Sequence, residues 1–122
     1  MEAKRMEHPR LLRWDDIPIQ KMGDTILLQL VWTERATLAR FEFTKGTHVP
    51  RHKHDAEQHT CLINGTMNMR LGETMFKVQP GEIVIIPPNV RHEGWFLEDS
   101  VVIDFFTPAR SDWLRGEFIY SK

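Results

Sequence analysis

The stretch that decides the fold runs from Gly46 to Gly65 and reads GTHVPRHKHDAEQHTCLING. Within it, His52 and His54 are separated by one residue, so a β-strand would place both side chains on the same face. Two imidazoles on one face can bind the same metal ion. The pair alone is a weak signal, because the solvent-facing side of an ordinary strand carries polar residues at the same spacing.

A second stretch, residues 81–92, reads GEIVIIPPNVRH and supplies a third histidine, His92. Its β-branched run Ile83–Ile86 is uninterrupted, which predicts a buried strand. The Pro-Pro-Asn sequence that follows ends this strand. Asn89 stands at a turn position where a positive φ is expected, and asparagine adopts that conformation more readily than most residues.

Glycine and proline divide the rest of the chain into short segments that fit strands. These segments are residues 40–43, 60–64, 66–71, 75–78, 95–97 and 101–106. The Asn64-Gly65 pair predicts a tight hairpin, since both residues tolerate a positive φ. Evenly spaced short strands of this kind indicate an all-β sandwich or small barrel.

The two ends of the chain depart from this pattern. Residues 111–115 predict one helical turn with Ser111 as its N-cap. Residues 10–20 fit an edge strand or an arm packed on a neighbouring subunit. Apolar residues near the start and in the run 26–32 exceed what a small closed barrel can cover, and an open sheet edge favours pairing with another chain, so we expect a homodimer. Those near the start are Leu11, Leu12, Trp14 and Ile17.

Size and composition exclude several classes of protein. The chain has 122 residues and a formal net charge of -1, which fits one domain and argues against nucleic acid as a partner. The single cysteine, Cys61, excludes an internal disulfide and suits a reducing compartment. No apolar run is long enough for a membrane helix, and the N-terminus lacks the pattern of a signal peptide. We therefore expect a cytoplasmic protein that binds no membrane.

Together the two stretches resemble the two motifs of the cupin superfamily. The first motif has a glycine, the His-x-His pair, a carboxylate or amide, and a second glycine. The second motif has a glycine, a proline and a histidine, and here Asn89 replaces its usual second glycine. The resemblance implies a cupin double-stranded β-helix, that is, a jelly-roll barrel with a short C-terminal helical turn. It also implies a single domain over 1–122, with an arm at about 1–20 and the barrel at about 36–106.

The same resemblance implies one divalent metal ion (Ni, Zn, Mn, Fe or Co) bound by His52, His54, Gln58 and His92. Glutamate is commoner in cupins at the position of Gln58, and the neighbouring Glu57 is one residue out of register. Three imidazoles and an amide leave the charge of the ion uncompensated by protein. Such a site is a strong Lewis acid that attracts an anionic substrate, which favours Lewis-acid chemistry over redox chemistry.

The remaining histidines and two methionines have simpler interpretations. His59 follows Gln58 and should point away from the barrel. His48 is placed in a loop, either as a solvated residue or as part of the pocket wall. Met67 and Met69 alternate on a strand and should line the cavity floor or the core.

One carboxylate stands in an otherwise apolar segment, residues 101–106. Period two places Val102, Asp104 and Phe106 on the same face. A buried carboxylate is costly unless it is paired or used. The alternative is that Asp104 lies on an edge strand and faces water.

The string D-x-F-x-P-x-R-x-D-W-L, residues 104–114, resembles the tail of small cupins of the KdgF type, which act in pectin degradation. The resemblance implies ring opening and ketonisation of 4,5-unsaturated uronates released from pectin or alginate. In that reaction Asp104 would transfer the proton as a general acid and base. Arg110 would bind the carboxylate of a small anionic sugar-acid substrate through a bidentate pair, and Phe106 would form an apolar wall against its ring.

Two other functions remain open from the sequence. A cupin dioxygenase or related oxidoreductase would use bound iron or manganese to activate oxygen. A non-catalytic protein that binds sugar acids would resemble the sensor domains that are fused to DNA-binding helices, although this chain has no helix-turn-helix pattern.

Overall fold

A computed structural model describes residues 8–117, which fold into ten strands in two antiparallel sheets. The strands are β1 (Gln20–Met22), β2 (Ile26–Trp32), β3 (Thr37–Phe43), β4 (His48–His52), β5 (Glu57–Asn64), β6 (Met67–Leu71), β7 (Thr74–Val78), β8 (Ile83–Ile86), β9 (His92–Phe96) and β10 (Ser100–Thr107). A single helical turn, α1 (Ser111–Leu114), follows the last strand. The predicted all-β jelly roll with a short C-terminal turn is therefore confirmed.

The two sheets face each other across an aromatic core. One sheet has six strands in the order β1-β2-β3-β10-β5-β8, and the other has four in the order β4-β9-β6-β7. Phe43 of the first sheet stacks on Phe96 of the second with ring centroids 3.9 Å apart. Phe41, which is fully buried, stacks on Phe43 at 5.0 Å. Alternate residues of each strand point into this core, as period-two patterning requires.

The N-terminal arm packs on the six-stranded sheet of the same chain. After a 3-10 turn at Trp14–Asp16, the chain leads into β1. The side-chain amide of Gln29 on β2 donates to the carbonyls of Trp14 at 2.7 Å and Ile17 at 3.0 Å. These hydrogen bonds account for the burial of Gln29 on the outer face of the sheet. Residues 1–7 of the expected arm lie outside the described residues.

The predicted hairpin at Asn64-Gly65 is wrong. β5 belongs to the six-stranded sheet and β6 to the four-stranded sheet, so the turn carries the chain from one sheet to the other. Gly65 has a φ of 99°, and a Cβ there would collide with the side chain of Ser100. Glycine is therefore required here for two reasons: its φ is positive, and the turn comes very close to β10.

Three other local expectations are also wrong. Ile83–Ile86 forms the predicted strand, but Ile83 is 62% exposed and Ile85 50% exposed, because β8 is an edge strand with an uncovered outer face. His48 begins β4 and does not lie in a loop. Ser111 is the first residue of α1, and no side chain caps the turn, for which Arg110 is the N-cap residue.

Candidate metal centre

Three histidines meet at one end of the barrel. The ring centroids of His52 and His92 are 4.3 Å apart, those of His54 and His92 4.8 Å, and those of His52 and His54 5.6 Å. One ring nitrogen of each histidine lies within 4.8 Å of the others. The three side chains are therefore positioned to bind one metal ion.

The backbone fixes the protonation of all three rings. In each case Nδ1 lies 2.8 or 2.9 Å from a backbone carbonyl two residues away. Because a carbonyl only accepts, the proton is on Nδ1 and the Nε2 lone pair is left for a ligand. Nε2 of His92 is buried and has no hydrogen-bond partner within residues 8–117. Burial lowers the pKa of all three rings, that of His92 to about 3, so they are neutral as metal ligands must be.

Gln58 presents its carbonyl oxygen to the same space. Oε1 lies 3.0 Å from Nε2 of His54, and Nε2 of Gln58 donates to the hydroxyl of Thr60 at 2.9 Å. Since the His54 proton is on Nδ1, the two facing atoms are both acceptors. Neighbouring ligands that are each about 2.1 Å from one ion lie about 3 Å apart. The residues present therefore fit a divalent metal ion.

A strand ladder and two turns bring these side chains together, and alternation along one strand does not. β4 ends at His52, which is opposite His92 in the ladder between β4 and β9. His54 lies in the connection between β4 and β5, so the expected shared strand face is wrong. The backbone N–H of Asn89 donates to the carbonyl of His54 at 2.8 Å, and Asn89 has the expected positive φ, 63°. The turn of the second motif thus supports a histidine of the first.

Asp104 is buried beside this cluster. β10 lies between β3 and β5, so the alternative of a water-facing residue on an edge strand is wrong. The residue is 4% exposed and stands opposite Thr60. Burial raises the pKa of its carboxyl group to about 6, and hydrogen bonds from Thr60 and Gln58 and the charge of Arg110 act in the opposite direction. Its Oδ1 has no hydrogen-bond partner in the described part of the chain.

Phe106 and Arg110 lie under the C-terminal turn. The ring of Phe106 is 5.7 Å from that of His54 and is fully buried. The guanidinium of Arg110 lies 4.9 Å from the Phe106 ring and 4.2 Å from the ring of Trp113. Trp113 in turn packs on Phe106 at 4.9 Å. The aromatic wall expected from the sequence is thus covered by a second aromatic ring.

The donors of Arg110 are mostly used within its own segment. Nε and Nη2 donate to Asp112 at 3.0 and 2.8 Å, and the backbone N–H donates to the hydroxyl of Thr37 at 2.9 Å. Nη1 is buried without a hydrogen-bond partner among the described residues. The positive charge of Arg110 lowers the pKa of all three clustered histidines and of Asp104, so the guanidinium lies close to the site.

Sequence reasoning assigned no role to Thr60, Asp112 or Trp113. The R-x-D-W spacing in the tail was visible, but which residue pairs with Arg110 depends on the turn that follows it. The contact between Thr60 and Gln58 could have been predicted, because alternate residues on a strand share a face.

A small cavity extends from the histidines into the barrel. Its volume is about 30 Å³, and Met67, Met69 and Asp104 contribute to its lining. The methionines are 2% and 5% exposed, as expected for residues of the core or cavity floor. A space of this size holds one or two waters and no sugar ring.

The two other described strand histidines point away from the cluster. His48 stacks on Trp95 with centroids 5.4 Å apart and donates to Glu93 at 2.6 Å, on the outer face of the four-stranded sheet. His59 donates to Glu57 at 2.6 Å on the outer face of the six-stranded sheet, so its predicted outward direction is confirmed.

A double-sheeted jelly roll in which three histidines are positioned to bind a metal ion defines a class of small barrel proteins. Comparison with known proteins agrees: the profile of the cupin domain family matches residues 39–104. That match covers more than half of the chain, and the chain belongs to the cupin family.

Individual relatives point in the same direction. The chain is 28% identical over 103 residues to the pectin degradation protein KdgF of Dickeya dadantii (strain 3937), covering 82% of this chain and 94% of that protein. The structure of KdgF from Halomonas sp. superposes with a TM-score of 0.81 at 24% identity, over 87% of this chain and 99% of that one. An RmlC-like cupin from Shewanella frigidimarina NCIMB 400 gives 0.82 at 20% identity, over 88% and 98%. The chain therefore resembles pectin-degradation cupins in both sequence and fold.

Within residues 8–117, no helix has the length and apolar character needed to cross a membrane.

Proposed function

We propose that this cupin is a metal-dependent enzyme that opens and ketonises 4,5-unsaturated uronates. The observation that carries the proposal is a buried carboxylate, Asp104, beside the three-histidine cluster and Arg110. One of its oxygens has no hydrogen-bond partner among residues 8–117. Buried, unpaired polar groups are costly, so their concentration at one site indicates a use. The likeness to KdgF, which is named for pectin degradation, supports this substrate class.

His52, His54, Gln58 and His92 would hold one divalent ion. Bound there, the ion would supply Lewis-acid polarisation of a substrate oxygen. All four side chains are neutral, so the protein leaves the charge of the ion uncompensated, and an anionic sugar acid is favoured over a neutral sugar.

Asp104 would move the proton. The anomeric hydroxyl of the substrate loses a proton to the carboxylate as the ring opens, and the same proton is delivered to C4 as the enol becomes a ketone. Atoms and electrons balance without an oxidant, since the reaction is an isomerisation. A carboxyl group with a pKa near 6 is suited to both halves of this transfer near neutral pH.

Arg110 would bind the uronate carboxylate. Since Asp112 already takes Nε and Nη2, the substrate would be met by Nη1, which has no partner in the described structure. The bidentate contact expected from the sequence therefore requires Nη2 to be shared with Asp112. Arginine suits this role because its planar group can serve two carboxylates at once.

The sugar ring would bind at the mouth of the barrel. The internal cavity of about 30 Å³ is too small for it. Contact between the ring and Phe106 requires Trp113 to move, because Phe106 is fully buried beneath it.

The decisive experiment follows the ultraviolet absorbance of an unsaturated galacturonate. The metal-loaded protein should abolish the absorbance of the conjugated double bond, and the chelated protein should not. Oxygen consumption measured in the same cuvette should stay at the background rate. Uptake of oxygen would indicate a dioxygenase, and binding without loss of absorbance would indicate a sugar-acid sensor; either result would overturn the proposal.

A further inference from the structure

Gln58 and Asp104 belong to two neighbouring rows of inward-facing side chains. In the ladders, Gln58 lies between Ile86 of β8 and Phe106 of β10, and both of these side chains are fully buried. Neither has a side-chain atom that could form a hydrogen bond with the amide. The next inward-facing pair along β5 and β10 is Thr60 and Asp104. The polar partners of the amide nitrogen therefore come from this pair.

Thr60 joins the two polar side chains. Its hydroxyl accepts a hydrogen bond from Nε2 of Gln58 at 2.9 Å and donates one to the carboxylate of Asp104, which also accepts one from Gln58. The direction of this chain of hydrogen bonds is fixed, because a carboxylate only accepts and a hydroxyl has one proton. On its other side, Asp104 lies opposite Ala39 of β3, which has no polar side-chain atom. Thr60, which is 1% exposed, is thus the polar neighbour of Asp104 across the ladders.

The same direction decides which atom of the Gln58 amide faces the histidines. An amide has an acceptor oxygen and a donor nitrogen on a group of nearly symmetric shape, so its partners determine how it is turned. With Nε2 held by Thr60, Oε1 lies 3.0 Å from Nε2 of His54, on the side where an ion would bind. A reversed amide would point its N–H groups at the ion and could not act as a ligand.

We propose that Thr60 is a positioning residue that turns the Gln58 amide toward the metal ion and links it to Asp104. One buried hydroxyl thus orients a metal ligand and the proposed proton carrier at the same time. Loss of a group that orients a ligand in this way typically weakens metal binding about 10- to 100-fold. The inference rests on the metal site of the proposed function, but it does not depend on which sugar acid reacts.

The test measures the dissociation constant for Co²⁺ by titrating the chelated protein. Thr60→Val keeps the shape of the side chain and removes the hydroxyl, so it should raise this constant at least about tenfold. Thr60→Ser keeps the hydroxyl and should retain the native constant. Circular dichroism shows whether each variant is folded. If Thr60→Val does not fold, Thr60→Ala is compared with Thr60→Ser, because these two variants differ by the hydroxyl alone. Equal constants with and without the hydroxyl would overturn the inference.

A second set of variants shows whether the hydroxyl acts through Gln58. A Gln58→Ala background has no amide to turn, so Thr60→Val should weaken Co²⁺ binding no further there. The same weakening in both backgrounds would assign Thr60 to packing alone and would also overturn the inference.

Thr66→Val is the matched control. Thr66 is 9% exposed and its hydroxyl donates to Glu98 at 3.2 Å, but it lies beyond the opposite end of β5 from Gln58. This variant should bind Co²⁺ as the native chain does, and a similar tenfold loss would contradict a specific role for Thr60. A native chain that binds no Co²⁺ would overturn the metal site of the proposed function and this inference with it. A native chain that binds the ion no better than Thr60→Val would overturn the inference alone.

Discussion

Asp112 holds the guanidinium of Arg110 by two hydrogen bonds, from Nε at 3.0 Å and from Nη2 at 2.8 Å. Trp113 lies against the same group at 4.2 Å. Two consecutive residues of the C-terminal turn thus fix both the plane and the direction of the arginine. Only Nη1 is left without a partner in the described chain, so Asp112 positions Arg110 for one particular contact.

The first prediction concerns this positioning. Asp112→Asn should raise KM for an unsaturated uronate by about tenfold, since a charge-assisted contact is lost, and should change kcat much less. A matched control is Glu117→Gln, which breaks a similar but exposed pair with Arg115 at 3.0 and 3.2 Å. Steady-state kinetics should separate the two variants. Equal kinetic constants for both would show that the Asp112 contact is only structural.

The second prediction concerns proton transfer. Asp104→Asn keeps the shape and the hydrogen-bonding capacity of the side chain but removes the basic oxygen. Turnover should fall by at least about 100-fold, the usual effect of losing a general acid or base, while bound metal stays unchanged. Rates and elemental analysis would be measured on the same preparation. Normal turnover with metal bound would assign a structural role to Asp104, and parallel loss of both would assign it to support of the metal ligands.

The third prediction concerns the metal ligands. His52→Ala/His54→Ala should purify without stoichiometric metal but remain folded, because the barrel core around Phe41 and Phe96 is apolar and holds the two sheets together. His48→Ala is the control, since that ring lies on the outer face of the sheet. Elemental analysis with far-ultraviolet circular dichroism gives the answer. Stoichiometric metal in the double variant would contradict the ligand assignment.

The fourth prediction concerns pH and the metal-free protein. The pKa of Asp104 is raised from 3.8 to about 6, so the folded state binds its proton more tightly than the unfolded state does. The resulting stabilisation is present below pH 3.8 and is lost as the pH rises through 6. Asp104→Asn cannot lose this stabilisation. Between pH 4 and pH 7, the free energy of unfolding of the variant should therefore rise by about 2 kcal/mol relative to that of the native protein.

Urea unfolding of the chelated proteins at several pH values measures this difference. The comparison must be made between the two proteins at each pH, because the lowered pKa values of the clustered histidines change stability in the opposite direction. His92, with a pKa near 3, favours the folded state less as the pH falls below 6.5 in both proteins. A difference that stays constant with pH would contradict the raised pKa of Asp104.

The fold could be predicted from the sequence where local chemistry decides it. The turn at Asn89 and the alternation around Asp104 depend on backbone preferences and on period two, and both are observed. The pairing at Asn64-Gly65 could not be predicted in this way. A turn signal shows that the chain reverses or bends, but which sheet the next strand joins is decided by contacts far along the chain.

In the candidate site, too, some features follow from local sequence and others depend on contacts far along the chain. The spacing of His52, His54 and His92 within two motifs was sufficient to predict that the three side chains meet. The predicted reason was wrong, because His54 is placed by the turn before β5 and not by a strand face shared with His52. The exposure of Ile83 and the pairing of Arg110 with Asp112 could not be predicted. The first depends on β8 being an edge strand, and the second on a turn whose geometry the residue types leave open.

The placement of the candidate ligands on both sheets has a consequence for folding. His52 and His92 come from the four-stranded sheet, whereas Gln58 comes from the six-stranded sheet. An ion held by all of them ties the two layers together at the open end of the barrel. A ligand that binds only the folded chain stabilises it by about 4 kcal/mol at a thousand times its dissociation constant. Cys61 is the only cysteine in the sequence, and the ion would thus be the cross-link that this chain cannot make for itself.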